Sequence, residues 1–550
     1  MASPLIVTNI SALQTSSGSA TDLAAVEYFN TLGDRGGGLF YYNIDDTTSE
    51  DNGGTIIVNV PSGRRYYRVY DELHLDFFLS STERDGLTDN SVGFANALSA
   101  ARAANAKLIC GPGRILIGSA SLLGVLENVE ISGEGVDDAN DLNTTGTQTR
   151  GTTFLITDDS QPLFFCGESW SIEGCNFVYP NQTDTTTPIQ YPPLLASTGS
   201  SPGMSQCMFR NNRIINCYDF LAADGVGTYN GTAVAPYCGD IIIDNCRIYS
   251  INIDFRLSEV TEVICVSNSL FSFESAPFSY VDLKNYTAVN GICVQSIGDG
   301  TSTVQPTIQS EINFDNCYIY GKLCAGNVIS SVFSGRWVGC GYDGVQQVLI
   351  TGSACYIAGL VINGGYVFGL NYASQSSPVI GALFQLSSNY TLDIDVTDLR
   401  VNFSNGPLID VEVTGGGYAR FNLVCPAANH ADTTSPEYVA IKVNSPACVV
   451  DVDCLIQNSY SSTAAVGIDI VAATLVRLKG SISSFHTPVS VTATSGIVHL
   501  TGLSVLDTGA TYSVTATSYS VIYAGATAAT STAHAVGGNY FDKPNPSVVQ

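Results

Sequence analysis

One short pattern recurs along this chain and restricts its fold more than any other feature. Met208-Phe209-Arg210-Asn211-Asn212-Arg213-Ile214, Ile242-Ile243-Asp244-Asn245-Cys246-Arg247-Ile248 and Asn313-Phe314-Asp315-Asn316-Cys317-Tyr318-Ile319 share one order: apolar, polar, Asn, small, polar, apolar. Ser171-Ile172-Glu173-Gly174-Cys175-Asn176-Phe177 and Cys265-Val266-Ser267-Asn268-Ser269-Leu270-Phe271 are weaker copies. The five copies stand 37, 34, 23 and 48 residues apart, and later bends at Cys454, Gly480 and Gly502 follow at 26 and 22. Each copy describes a short strand, a bend and a second short strand. Asn and Gly suit the bend because they tolerate left-handed backbone angles.

A unit of about 20–35 residues built this way buries its apolar residues only by sitting on its neighbours, which is the arrangement of a parallel β-helix. The expected fold is therefore all-β, a right-handed single-stranded parallel β-helix. Cys175, Cys246, Cys317 and Asn212 are expected to point inward and stack. The uneven spacing places extra residues in outer loops, where function is expected.

Composition agrees. Only 13% of the 550 residues are charged, and β-branched and turn-forming types dominate, which favours strands over helices. The formal charge of −27 argues against a nucleic-acid partner, since phosphate neutralisation needs clustered Lys and Arg. It also weakly disfavours a strongly anionic polymer. Met1-Ala2-Ser3-Pro4 lacks the basic start of a signal peptide, and no window approaches the ~18 apolar residues of a membrane span. Synthesis in a host cytoplasm without membrane insertion is expected. Twelve of the 16 cysteines lie between Cys166 and Cys355 in apolar runs, with no CxxC pair. Buried free thiols are expected rather than zinc or disulfides.

The glycine-rich opening, Gly33-Asp34-Arg35-Gly36-Gly37-Gly38-Leu39-Phe40-Tyr41-Tyr42, is not a phosphate loop, because no Lys occurs before Lys107. It reads as a tight turn between strands, with a second turn at Asp51-Asn52-Gly53-Gly54.

Further on, Arg84-Asp85-Gly86-Leu87-Thr88-Asp89-Asn90-Ser91 precedes a helical pattern from Val92 to Arg102, and then Lys107-Leu108-Ile109-Cys110-Gly111-Pro112-Gly113-Arg114. This resembles the entry to the pectate-lyase-like β-helix of phage tailspikes, D-G-x-T-D-[DN]-[ST] followed by a capping helix and a strand around Pro-Gly. The helix is expected near residues 90–104, capped by Asn90 or Ser91. The glycine-rich opening and the basic strand Arg64-Arg65-Tyr66-Tyr67-Arg68-Val69 resemble what precedes that entry in many tailspikes. One departure stands at Leu75-Asp76-Phe77-Phe78-Leu79, where the family usually carries a stretch like "VRWFGA". The resemblance implies a virion spike, located on the tail or capsid surface. It also implies a homotrimer that meets other virion proteins through its N-terminal region and recognises bacterial surface polysaccharide. The expected organisation is an N-terminal attachment domain of small β-hairpins over 1–80, a β-helix body over 81–508, and terminal rungs with a tail over 509–550.

Glycan hydrolysis requires two carboxylates, ~5–5.5 Å apart for retention and ~6.5–9.5 Å for inversion. Adjacent rungs rise by about 4.8 Å, so acids on neighbouring rungs can supply either separation. Asp219, Asp254 and Glu274 follow the Asn bends and are the candidate catalytic acids, although their offsets from the bends differ in parity. Tyr218, Phe255 and Tyr280 are the candidate sugar-binding aromatics, alongside Phe220 and Phe273. Lys284 with Tyr280 is the counterpart for a lyase, a reaction less expected than hydrolysis. A Ser-nucleophile elbow is absent, His430 and His486 have no motif partners, and no cofactor or metal is implied. Two functions stay open: a tailspike that binds and depolymerises surface polysaccharide, and a non-enzymatic fibre, head spike or decoration protein.

Overall fold

The bends of the repeat hold residues in the left-handed region. In the computed structural model Asn211, Asn245, Asn268 and Asn316 have φ of 54, 51, 50 and 51°, and Gly174 has φ 70°. The residue after the bend turns inward: Cys175, Cys246 and Cys317 are at most 2% exposed and Asn212 is 1% exposed. A buried amide needs partners, and Asn212 has them. Its Nδ2 donates to the Ile172 carbonyl and its Oδ1 accepts from the Cys175 amide, both at 2.8 Å. The bends also join one another, Asn245 Nδ2 donating to Asn211 Oδ1 at 2.7 Å.

The structure describes residues 4–17, 21–135, 151–184, 187–197, 203–223, 227–229, 232–234, 237–258, 260–273, 290–297, 309–368, 382–402, 406–428, 439–458, 465–485, 487–491, 496–501, 503–505, 513–514, 520–524, 534–535 and 539–540. Two compact units are present, residues 1–251 and 252–550.

The first unit opens with a five-stranded sheet in the order Leu5–Val7, Leu23–Val26, Gly38–Tyr42, Arg64–Arg68, Ile56–Asn59. The first pair is parallel and the others antiparallel. Its core joins Ile10 and Leu13 of the short helix Ile10–Thr15 to Ala24, Val26, Phe40, Ile57 and Tyr66. The triple glycine is a site of close approach as well as a turn. A Cβ on Gly36 would lie 2.3 Å from Phe29 Cβ, and one on Gly37 2.3 Å from the Glu27 carbonyl oxygen. The buried Arg68 guanidinium draws the two glycine segments together, donating to the carbonyls of Gly36, Gly37 and Gly54 at 2.9, 2.7 and 2.8 Å. It lies between the rings of Phe40 and Phe77, 4.5 and 4.2 Å from their centroids.

The sheet ends at Arg68 and the parallel stack starts at Leu73–His74. The unusual Leu75-to-Leu79 stretch forms a short 3-10 turn whose Leu75, Phe78 and Leu79 are buried. Next comes the helix Ser91–Ala104, close to its expected limits. Its cap differs from expectation, because the Asn90 side chain makes no capping bond to the helix. Asp89 accepts from the Ser91 amide and hydroxyl instead, while Asn90 ties Glu83 to Leu116. Phe94 of this helix covers the end of a ring column, Phe94–Phe154–Phe177–Phe209–Phe220, with centroids 5.0, 5.3, 5.9 and 5.4 Å apart. The helix therefore plugs the apolar interior of its unit. Beneath it Lys107–Ile109, Val129–Ser132, Trp170–Glu173, Ser205–Arg210 and Tyr237–Asp244 pair in parallel, one strand per rung.

The second unit continues the pattern with three faces per rung. The first is built from Val260–Ser267, Gln309–Asp315, Val332–Val338, Tyr356–Asn363 and Leu392–Val401. The second is Leu270–Ser272, Tyr318–Tyr320, Gly341–Asp343 and Tyr366–Phe368. The third is Ile292–Ser296, Cys324–Val328, Gln347–Thr351, Phe384–Ser388 and Ile409–Val413. All of these pairings are parallel, and Phe255, Phe271, Phe314 and Trp337 fill the interior. Short strands at Ser513–Val514, Ser520–Ala524, His534–Ala535 and Asn539–Tyr540 add further parallel pairings near the C-terminus.

Candidate functional site

Two of the three acids chosen from sequence, Asp219 and Asp254, are buried. Asp219 is 2% exposed in the first unit and Asp254 0% exposed in the second. Asp254 is held by the equally buried Lys322, whose Nζ lies 3.2 and 3.1 Å from its two carboxylate oxygens. Phe255 is 0% exposed and packs on Phe271 and Phe314, so it offers no face to a sugar. Tyr218 is half-buried. Glu274, Tyr280 and Lys284 lie outside the described residues. Asp219, Asp254 and Phe255 are therefore reassigned to the interior. The physical reason is visible in their strands. Arg213–Ala223 and Arg247–Leu257 are buried on successive residues rather than alternate ones, so counting from the bend does not find an outer face.

An accessible concavity of about 850 Å³ lies on the first face of the second unit. Small residues create it. The register slips between Phe333 and Gly335 and between Ala358 and Leu360, and Ser334, Gly335, Ala358 and Gly359 line the groove. A Cβ on Gly335 would stand 2.2 Å from the Ile312 carbonyl oxygen, so the floor cannot be raised there. Glu311, Asn313 and Asp315 come from one strand and Arg336 from the next. Asn313 Nδ2 donates to Glu311 at 3.1 Å and its Oδ1 accepts from the Arg336 amide at 2.8 Å. Glu311 and Asp315 are four residues apart on an extended strand, about 13 Å along it. That is too far for a hydrolytic pair. The groove presents carboxylates, an amide and a guanidinium, a set suited to binding hydroxyl-rich chains.

A smaller groove of about 420 Å³ occurs in the first unit. Asn105, Asn128, Ser169 and Gln206 line it, all with left-handed φ of 48, 48, 56 and 53°. Such angles are uncommon for Ser and Gln. They mark a second column of bends at the entry to successive strands.

Paired acids do exist, in places the bend-centred reading did not search. Asp393/Asp395, Asp410/Glu412 and Asp451/Asp453 each stand two apart on one described strand and share its outer side, roughly 7 Å apart. Asp395 and Asp451 are committed to Arg420 and Arg477, each at 3.2 Å. Asp410 differs, because burial pushes its carboxyl above the usual range against the pull of the Lys442 ammonium. Lys442 Nζ lies 2.9 Å from Glu412 and 3.9 Å from Asp410. The spacing fits an inverting pair, and a carboxyl raised by burial suits the general-acid role. The signal was present in Ile409-Asp410-Val411-Glu412-Val413, whose strict alternation puts both acids on one side.

A plugged parallel β-helix entered from a small N-terminal sheet, with polar grooves on its outer faces, is the class of molecule these features define. Residues 6–71 match the family model described as phage tail protein small four-stranded β-sheet domain. No curated protein sequence matches the chain. Among solved structures, the chain is similar to the tailspike protein of Acinetobacter baumannii phage AM24, with 13% identity over 95% of this chain and 65% of that one, and a TM-score of 0.38. It is also similar to another Acinetobacter baumannii bacteriophage tailspike, described as a capsular polysaccharide depolymerase (13% identity, 95% and 76% coverage, TM-score 0.42). A third is an Acinetobacter phage tailspike with 10% identity, 86% and 75% coverage and a TM-score of 0.45. The chain thus spans just under two thirds of the first of these and about three quarters of the other two.

Proposed function

We propose that this chain is a virion spike of the tailspike kind, mounted on other virion proteins through its N-terminal sheet and recognising bacterial surface polysaccharide on the outer faces of its β-helix. The observation that carries this reading is the join at Arg68 to Leu73. A sheet matching a phage-tail domain model runs directly into a stack of parallel rungs. The groove beside Arg336 supports the glycan half of the reading, because its polar groups converge on an open concavity. The working form is a homotrimer on the virion tail.

In this reading the spike also depolymerises its glycan by hydrolysis, with Asp410 as general acid and Glu412 as the base that activates water. The test is incubation of the purified chain with surface polysaccharides from candidate hosts, followed by assay for new reducing ends. Asp410→Asn with Glu412→Gln is expected to abolish product while binding and melting temperature persist. Cleavage that survives in this double variant overturns the assignment. Asp219→Asn with Asp254→Asn tests the residues chosen from sequence. Asp254→Asn leaves the buried Lys322 ammonium beside a neutral amide, so loss of folding is expected instead of a selective loss of cleavage. A non-enzymatic binding spike is the second reading, favoured by the burial of Asp219 and Asp254. Binding without product across all hosts decides for it.

A further inference from the structure

The second face of the second unit departs from what an outer strand surface normally carries. Ile319, Tyr342 and Val367 point inward and are at most 1% exposed, so the flanking residues of their three strands point outward. Four of those six outward positions are aromatic: Tyr318, Tyr320, Tyr366 and Phe368. Gly341 and Asp343 occupy the other two, on the strand between.

The gap at Gly341 shapes the strip. A Cβ there would lie 2.7 Å from Tyr318 Cδ2 and 3.0 Å from Tyr366 Cζ. The two rings lean into that space, with centroids 6.4 Å apart although their strands are two rungs apart. Tyr318 and Tyr320 lie nearly parallel, 12° between planes. The Tyr318 hydroxyl donates to Asp343 at 2.7 Å, which fixes its ring before any ligand arrives. Tyr366 and Phe368 remain 38% and 45% exposed.

We propose that this aromatic strip is a glycan-binding site distinct from the Arg336 groove, taking the apolar faces of successive pyranose rings in a chain that runs across the strands. The inference rests on the surface-polysaccharide reading above and names where a sugar chain lies. Three physical features favour this occupant. Rigid aromatic faces edged by phenols and a carboxylate match a ligand that is apolar on its ring faces and polar at its rim. The rings are preorganised, so little ordering is lost on binding. The rung repeat of about 4.8 Å is comparable with the length of one hexopyranose residue, so a chain along the stack meets the protein in register.

The experiment is affinity electrophoresis of the full chain through gels containing purified capsular and O-polysaccharides from a panel of Gram-negative hosts. Light scattering and thermal unfolding are run alongside. The variants are Tyr366→Ala/Phe368→Ala, which removes exposed rings, and Gly341→Ala, which pushes Tyr318 and Tyr366 apart. We expect retardation by at least one polysaccharide, weakened at least ten-fold in the double variant and measurably in Gly341→Ala, with mass and melting temperature unchanged. Undiminished retardation of the double variant overturns the strip while leaving the polysaccharide reading intact. A change of oligomeric mass in that variant also overturns it, making the strip a contact between copies of the chain. No retardation of the unmodified chain by any member of the panel removes both readings together.

Discussion

Sixteen cysteines in a chain without described disulfides are, residue by residue, a packing device. Fifteen are buried and Cys265 is exposed. Burial pushes the thiols of Cys110, Cys207, Cys246, Cys317, Cys324 and Cys454 up to about 12, and those of Cys340, Cys355 and Cys448 up to about 11. The sign of the linkage follows. These acids hold their protons more tightly folded than unfolded, so their stabilisation is complete below the ordinary thiol pKa near 9. It is lost as pH climbs from about 9 towards 12, at up to ~1.4 kcal/mol per pH unit for each thiol. The melting temperature is therefore expected to fall steeply above pH 9 and to stay flat between pH 7 and 8.5. A thiol-specific reagent at neutral pH should find one fast-reacting cysteine, Cys265. Several fast thiols, or a flat alkaline profile, would contradict the buried-ladder account. The inward Cys was legible in sequence because the Asn before it sets a left-handed bend. The raised pKa was not, because it depends on what closes over the sulfur.

At the level of strands, alternation separates outward from inward residues where one face is open and fails where both are closed. Ile409–Val413 alternates and its acids are found by counting. Arg247–Leu257 is buried on successive residues, and counting misplaces Asp254. The buried Asp254–Lys322 pair then gives a sharp element-scale expectation. Lys322→Met alone removes the cation beside the buried Asp254 carboxylate and is expected to cost about 3–5 kcal/mol. Lys322→Met combined with Asp254→Leu should recover most of that loss, because exchanging both charges for apolar groups is often nearly neutral. Denaturant unfolding of the full chain measures both. A double variant as unstable as the single one would show that the pair has a role beyond mutual neutralisation. The same comparison explains the Arg68 cradle. Three glycines announced a turn, but the guanidinium that gathers the carbonyls of Gly36 and Gly37 comes from a strand some thirty residues on and has no local signature.

For the molecule, the decisive feature is that each rung supplies the partner its neighbour needs, so the ends must be closed. The helix Ser91–Ala104 closes the first unit by setting Phe94 on Phe154. Phe94→Ala is expected to destabilise the chain by about 3–5 kcal/mol and to promote end-to-end association, since the top of the ring column is then uncovered. Scanning calorimetry and light scattering check the two halves. A variant with unchanged stability would mean that the helix sits beside the stack without sealing it.

The repeat alone determined the rung, the bend and the inward cysteine, because those follow from local backbone freedom and from the need of short strands to stack. The glycine-rich opening and the Asp-Gly-x-Thr-Asp entry also placed the N-terminal sheet and plug helix in order. Only the tertiary structure decided which acids are buried, where small residues hollow a groove, and that Tyr318 leans towards Tyr366 over Gly341. Those outcomes depend on contacts between residues 20 to 70 positions apart, across rungs of unequal length, and no local pattern records which residue lands above which.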